Sequence, residues 1–409
     1  MSPRAAPDRR RRVVVTGVGA VTPLGCGAER LIERWLAGES GIENGEGACD
    51  EFDPRDHLRK REVRGTDRFA QLAIVAAKEA LDQAGWTRRL PVEPSRVGCL
   101  VGTGFGGLQT IIDQIEVYRT RGARMISPLT ISLMMPNAAA GGICLHFGLK
   151  GPAHAVGSAC AAGTDAIGQA ARMIADGDVD AMVAGGADAC LTPLAVAATD
   201  KAGALSKTGI SRPFDARRDG FVLGEGAGAL ALEAAEVADA RGAERLGEVR
   251  GYGASVDAFH MTAPDPSGDG ARRAIERCLH DAQVKALELD YVNAHGTSTP
   301  LNDRSETNAL KQALGPIARS VPVSSTKSVI GHLCGGAGAV EAAATLLALR
   351  RRLAPPTVGY QEPDPELDLN YVPDVPQKLH PRSASVPLVA ISNSFGFGGH
   401  NAVLCLSAP

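Results

Sequence analysis

The sequence predicts a layered α/β protein, and three observations carry that prediction. Short β-branched runs alternate along the chain with alanine-rich stretches of helical period, the rhythm of strands connected by helices. Glycine is abundant, at 48 residues, whereas aromatic residues make up only 4%, so strands and helices are free to approach closely. No tandem repeat or low-complexity linker interrupts the 409 residues, which points to one compact unit with a seam near residue 250.

Taken in order, residues 12–16 read as the first strand. Residues 69–86 place Phe69, Leu72, Ala73, Ala76, Ala77, Ala80, Leu81 and Ala84 on one face, the spacing of an amphipathic helix. Residues 98–102 and 181–185 are short apolar strands ending in glycine. A strand at 230–233 leads into a charged helix at 236–245, followed by strands near 248–252 and at Tyr291–Asn293. Residues 340–349 form a second alanine-rich helix, and 388–392 are strand-like. With helices between them, the strands are expected to pair mostly in parallel. The proline-rich stretch 355–376 is expected to be an ordered surface excursion.

A formal charge of −3 leaves no electrostatic footprint for nucleic acid. The basic run Arg9 to Arg12 follows a Pro/Ala stretch, so residues 1–11 read as a frayed basic tail. The apolar run behind it is too short for a signal-peptide core or a membrane span, and the chain is expected to be cytoplasmic, without a membrane partner. The nine cysteines are scattered and show no CxxC pair. A disulfide framework and a structural metal site are therefore not expected, and most cysteines should be small buried hydrophobes.

Two motifs mislead. Gly102-Thr-Gly-Phe-Gly-Gly107 has the G-x-G-x-x-G spacing of dinucleotide sites, but no acidic residue stands about twenty positions on to hold a ribose. A tight turn is the better reading. Ser324-x-x-Lys327 and Lys207-Thr-Gly209 have the elements of penicillin-recognising serine enzymes in inverted order, without an S-D-N element between them.

The chemistry gathers elsewhere. Gly157-Ser-Ala-Cys160-Ala-Ala-Gly163 lies between a β-like segment and a helix-forming stretch. Cys160 would sit at the helix amino terminus, where the dipole favours thiolate over thiol. A lone cysteine is more often simply buried, so the downstream residues decide. Asn293-Ala-His295-Gly-Thr297-Ser-Thr299-Pro300 ends an apolar strand in a histidine, and Lys327-Ser-Val-Ile-Gly-His332 places a second one before Gly335-Gly-Ala-Gly338. Strand ends are where α/β sheets gather ligand-binding groups. One thiol and two imidazoles suit a nucleophile with two hydrogen-bond donors for a developing enolate. Asn393-Ser-Phe395-Gly-Phe397-Gly-Gly399-His-Asn401 adds a tight glycine turn carrying two phenylalanines able to shield a reactive pocket.

In this order the four elements resemble the elongation-type β-ketoacyl–acyl carrier protein synthases of the thiolase superfamily, from Val13-Val-Val-Thr-Gly17 to Gly398-Gly-His-Asn401. Arg212-Pro-Phe-Asp215 and Arg218-Asp-Gly-Phe-Val-Leu-Gly-Glu225 strengthen the resemblance. It implies a thiolase-like α-β-α-β-α fold of two pseudo-symmetric halves, residues 12–250 with the nucleophile and 251–409 with the histidines. It also implies decarboxylative condensation of an acyl chain on Cys160 with a malonyl thioester. His295 and His332 would assist decarboxylation and hold the enolate. Lys327, paired with Glu341, would order the histidines. The backbone N–H groups of Cys160 and Phe397 would form the oxyanion hole, Phe397 would gate the site, and Phe395 would flank it. Thr297 and Thr299 would contact the pantetheine or malonyl group. No resident cofactor is implied, because substrates arrive on the phosphopantetheine arm of an acyl carrier protein, docked at Arg61, Arg64 and Arg124. Family members are dimers, so a homodimer or a heterodimer with a chain-length-factor-like homologue is expected. A non-catalytic chain-length-determining subunit is the alternative, but such a subunit would lack Cys160.

Departures cluster near the acyl pocket, where Phe105, Thr199 and Thr130 are the candidate lining residues. Phe105 replaces a position often aliphatic in the family, and should shorten or reshape the pocket. Thr199 replaces a large apolar residue, and should make that wall more polar. Residues 205–212 form a shortened connection. These features leave two pathways open: housekeeping fatty-acid elongation, and a specialised type II polyketide or polyene route.

Overall fold

The valine-rich opening run becomes strand β1 (Val13–Thr22), buried along its whole length. In the computed structural model, which describes residues 10–383 and 386–409, the short strand Gly25–Cys26 folds back on the end of β1, and nine further strands extend β1 in one continuous order. These are β2 (Val97–Gly102), β3 (Ala153–Val156), β4 (Ala181–Asp188), β5 (Gly226–Ala234), β6 (Gly247–Val256), β7 (Tyr291–Asn293), β8 (Val323–Ser324), β9 (Leu388–Gly396) and β10 (His400–Ala408). Their spatial order is β3-β2-β4-β5-β1-β6-β10-β9-β7-β8. In the first five, β2 runs parallel to β3 and β4, and β5 antiparallel to β4 and β1. In the second five, β7 runs parallel to β8 and β9, and β10 antiparallel to β9 and β6. The two halves thus share one strand order and one pattern of directions. Their strands join through two residue pairs, Val14 with Glu248 and Val15 with Gly247.

The expectation of mostly parallel pairing is corrected here. Each half keeps two parallel and two antiparallel neighbours, and the joint between halves is antiparallel. The clearest reason is the link from β9 to β10, which is Phe397, Gly398 and Gly399 alone; three residues close a hairpin but cannot make a crossover.

Helices complete five layers. Helix α1 (Arg68–Gln83) covers the outer face of the first half. A Cβ on Gly17 or Gly19 would stand 1.9 or 2.0 Å from the carbonyl oxygens of Ala80 and Ala76, so those two glycines let α1 lie directly on β1. Helices α2 (Ala162–Ala175) and α5 (Ala337–Arg351) lie between the halves, in a core that unites them with β1, β5, β9 and β10. Helices α3 (Asp269–Ala282) and α4 (Pro300–Leu314) close the far side. Helix α5 is buried from Ala337 to Leu349, as an alanine- and leucine-rich helix must be, and it carries Glu341 and Thr345 into that interior. A Cβ on Gly338 would stand 2.1 Å from the Thr164 hydroxyl, so α2 and α5 touch near their amino termini. That contact gathers the site.

Three local readings change. The charged helix is only Ala235–Ala240, stopped by Gly242 at φ 68°. The proline-rich stretch is ordered, yet Leu367, Leu369 and Tyr371 within it are buried in the second-half core. In the basic run, Arg10 pairs with Asp176 and Asp281, and Arg11 with Asp180 and Glu236. The rest of that tail, residues 1–9, lies outside the described residues. No helix among the described residues is long and apolar enough to cross a membrane.

Candidate active site

Cys160 occupies a tight turn, Ala159–Ala161, between β3 and α2. Ala159 holds φ at 51°, a left-handed conformation costing a non-glycine residue roughly 1–2 kcal/mol. Helix α5 is entered the same way, through the turn Cys334–Gly336 with Cys334 at φ 50°. By this correspondence the place of Cys160 in the first half is filled by Gly335 in the second.

The hairpin between β9 and β10 closes over the thiol. A Cβ on Gly396 would stand 2.9 Å from the Cys160 nitrogen, so the hairpin backbone lies directly against the turn that carries the thiol. Burial pushes the Cys160 thiol up to about 12; Cys334 adds to the rise, while Lys327 and the Phe397 N–H oppose it. The helix-end preference for thiolate is therefore overcome. Attraction to a helix end is worth at most about 2 kcal/mol, and here the lost hydration of the anion outweighs it.

His295 follows β7, and His332 follows the helical turn Lys327–Ile330; both are buried. Their ring centroids lie 5.4 Å apart at 82°. Phe395 packs edge-on to His295 at 5.7 Å and Phe221 edge-on to His332 at 5.2 Å. Burial first, and then the charge of Lys327, hold both imidazoles well below their ordinary range, so both are neutral at pH 7. The Cys334 N–H donates to His332 Nδ1 at 3.2 Å, so the neutral ring carries its proton on Nε2. Lys327 Nζ and the Glu341 carboxylate form a fully buried ion pair. Glu341 is raised by burial, with Lys327 opposing the rise. The charge of Lys327 thus acts on Cys160, His295, His332 and Glu341 together.

Two supporting carboxylates went unread in the sequence. Glu306 on α4 accepts the N–H groups of His295 and Gly296, each at 2.8 Å, and the Asn393 amide at 3.0 Å. It joins the His295 strand end to β9. Asp188, at the end of β4, binds the loops of Phe105 and Gly335. The available signal for Glu306 was weak: an acidic residue on a helix that begins at Thr299.

Local hydrogen bonds hold the threonine candidates. Thr299 caps α4, accepting the Asn302 N–H at 3.2 Å, and shares a 2.9 Å hydrogen bond with Thr297. Thr199 donates its hydroxyl to the Ala195 carbonyl at 2.7 Å. That bond occupies the hydroxyl proton within its own helix. Thr130 likewise donates to the Ser127 carbonyl at 2.7 Å. Phe105 is 42% exposed. Arg61, Arg64 and Arg124 are exposed, and none has an ion pair among the described residues. A cavity of about 1150 Å³ opens at the other end of α2, lined by Arg10, Arg172 and Arg250 among others, and holds none of the catalytic candidates.

Known proteins carry the same architecture. Residues 10–238 match the family described as beta-ketoacyl synthase, N-terminal domain, and residues 246–361 its C-terminal domain. A Synechocystis sp. protein named 3-oxoacyl-[acyl-carrier-protein] synthase 2 is 43% identical, with 97% of each chain covered. The Staphylococcus aureus protein of that name is 40% identical, with 97% of this chain and 98% of the relative covered. Among solved structures, the ishigamide ketosynthase/chain length factor superposes with a TM-score of 0.88 at 34% identity, covering 98% of this chain and 100% of the other. The AntDE:AntF complex of a type II polyketide synthase acyl carrier protein with its ketosynthase gives 0.88 at 31% identity, with the same coverage. Matches to both family halves, and relatives of such identity over nearly the whole length, place this chain in the β-ketoacyl synthase family.

Proposed function

We propose that the chain is a catalytically competent β-ketoacyl–acyl carrier protein synthase that acylates Cys160 and condenses the acyl group with a malonyl thioester. The observation carrying this reading is the convergence of a thiol, two neutral imidazoles and a buried lysine beneath the Phe397 turn. In the first step the Cys160 sulfur attacks the acyl thioester, the carrier's C–S bond breaks, and the thiol proton passes to the departing pantetheine sulfur. The malonyl thioester then loses CO2, and its C–C bonding pair becomes an enolate. The His332 Nε2–H donates to the enolate oxygen and His295 flanks it, as neutral donors do without reorganisation. The enolate carbon attacks the acyl–Cys160 carbonyl, whose oxyanion lies toward the N–H groups of Cys160 and Phe397. The C–S bond breaks, releasing β-ketoacyl carrier, and the Cys160 thiolate takes a proton from solvent. No step uses a resident cofactor. Intact-mass measurement after incubation with a short acyl–carrier thioester is expected to show one acyl adduct, located at Cys160. A folded protein without that adduct would sink the reading and favour a non-catalytic subunit.

The substrate carrier in this reading is an acidic acyl carrier protein, docked on Arg61, Arg64 and Arg124. Charge reversal in Arg61→Glu with Arg64→Glu is expected to raise KM for the carrier at least roughly 10-fold with little change in kcat, and to flatten its salt dependence. An unchanged KM at low salt would remove those two arginines from the docking surface.

The quaternary state in this reading is a dimer, with a second copy or with a chain-length-factor-like homologue. Its support is edge strand β3, unpaired on one side, and the exposed apolar residues Tyr118, Ile131 and Leu145 nearby in sequence. Phe105 is the residue that sets a specialised polyketide route beside housekeeping elongation. Phe105→Ala is expected to lengthen the accepted acyl chain, read as the product distribution by mass spectrometry. An identical distribution would refute that pocket role.

A further inference from the structure

Asp188 is a fully buried carboxylate with no basic partner among the described residues. Four donors surround it. Its Oδ1 accepts the Thr103 hydroxyl at 2.6 Å and the Phe105 N–H at 3.2 Å. Its Oδ2 accepts the Gly104 N–H at 2.9 Å and the Gly335 N–H at 2.7 Å. Thr103 in turn accepts the Gly106 N–H at 3.0 Å, so one carboxylate organises the whole turn that carries Phe105. Gly335 belongs to the turn that follows His332 and precedes α5.

The contact between those turns is close. A Cβ on Gly335 would stand 2.6 Å from the Gly104 nitrogen and 2.8 Å from Asp188 Oδ2. A Cβ on Gly186 would stand 2.5 Å from the Gly335 oxygen, and one on Gly163, in α2 just after Cys160, 2.8 Å from the same atom. The Gly335 peptide is therefore wedged between the Phe105 turn, β4 and the start of α2, and Asp188 holds it from below. Burying a lone carboxylate is costly unless its lone pairs are met by donors. Here every donor comes from a segment bordering the reaction centre, and none comes from a charge partner.

We propose that Asp188 is a positioning residue, which fixes the spacing between the pocket wall carrying Phe105 and the loop carrying His332. This inference rests on the condensing reading of the same site. One carboxylate thereby couples the acyl length accepted on Cys160 to the placement of the imidazole that serves decarboxylation. An asparagine at this position offers an acceptor to one side and two N–H donors to the other. One pair of donors, Thr103 with Phe105 or Gly104 with Gly335, then faces another donor, and the two turns separate.

The test compares Asp188→Asn with Ile275→Ala, a buried substitution on α3 that lowers stability but removes none of the donors to Asp188. Asp188→Asn is expected to keep its Cys160 adduct with a short acyl–carrier thioester. Its malonyl decarboxylation kcat is expected to fall roughly 10-fold, and the ratio of kcat/KM between long and short acyl primers to shift by a similar factor. Ile275→Ala is expected to leave that ratio unchanged. A folded Asp188→Asn with wild-type ratio and kcat overturns the proposal, as does an equal shift in Ile275→Ala. If Asp188→Asn does not fold, Thr103→Val decides: a smaller shift in the same direction supports the role, and none refutes it. Failure of the wild-type protein to form the adduct would instead refute the condensing reading itself.

Discussion

Cys160→Ala is expected to lower condensation by roughly 10⁴-fold or more, the scale seen when a covalent nucleophile is removed, while the folded variant still releases CO2 from malonyl carrier. The two outcomes separate because the groups they need are separate. Condensation requires a sulfur to hold the acyl chain. Decarboxylation requires neutral donors for the enolate, and His295 and His332 are held by Glu306, by the Cys334 N–H and by the field of Lys327. The Cys160 thiol is raised to about 12, so at pH 7 the resting site holds a neutral S–H. Replacing a neutral thiol-bearing side chain by a methyl group leaves the charges around the imidazoles as they were. Product formation and CO2 release, measured on the same sample, check both halves of the expectation. Loss of both activities in a folded variant would show that the sulfur and the histidines act as one unit.

Lys327→Ala should give the largest change in stability. Breaking a buried ion pair by removing one partner costs about 3–5 kcal/mol, because the other charge is left uncompensated. Glu341 already lies above the ordinary carboxylate range, with Lys327 its main restraint, so removing the lysine raises it further. A folded-state value above the unfolded one means that the folded protein binds the extra proton. Stability of the variant is then greatest below the unfolded value and declines as pH rises toward the folded value. Denaturant midpoints across that range check the sign, and a flat profile would mean that Glu341 finds another partner. The double variant Lys327→Ala with Glu341→Gln should recover part of the loss. Neither variant should condense at the wild-type rate, since the imidazoles and the thiol lose the charge that acts on all of them.

Much of the fold was readable one segment at a time. The period of residues 69–86 announced α1, and the apolar runs at 98–102 and 181–185 announced β2 and β4, because such elements report local burial on one or two faces. The pairing directions were not readable in that way. Antiparallel β4–β5 and β5–β1 ladders join strands distant in sequence, and nothing in their composition says which neighbour they meet. The duplication was legible only through the family resemblance, not in local composition: two halves with one strand order share the geometry of a turn at Ala159 and Cys334, but place Cys160 opposite Gly335.

The chemical identity of the site came from local sequence. Cys160, His295, Lys327, His332 and Phe397 each stand in a short run whose glycines, hydroxyls and flanking strand mark a turn, and turn residues carry their chemistry in their own type. Their ionisation was decided by tertiary structure. The protonated state of Cys160, the neutrality of both imidazoles and the tautomer of His332 depend on which atoms exclude water and which N–H points at a lone pair, and those atoms come from segments far apart in the chain. Glu306 and Asp188 belong to the same class. A buried carboxylate has no sequence signature, because what distinguishes it from a surface one is the set of donors that folding brings around it.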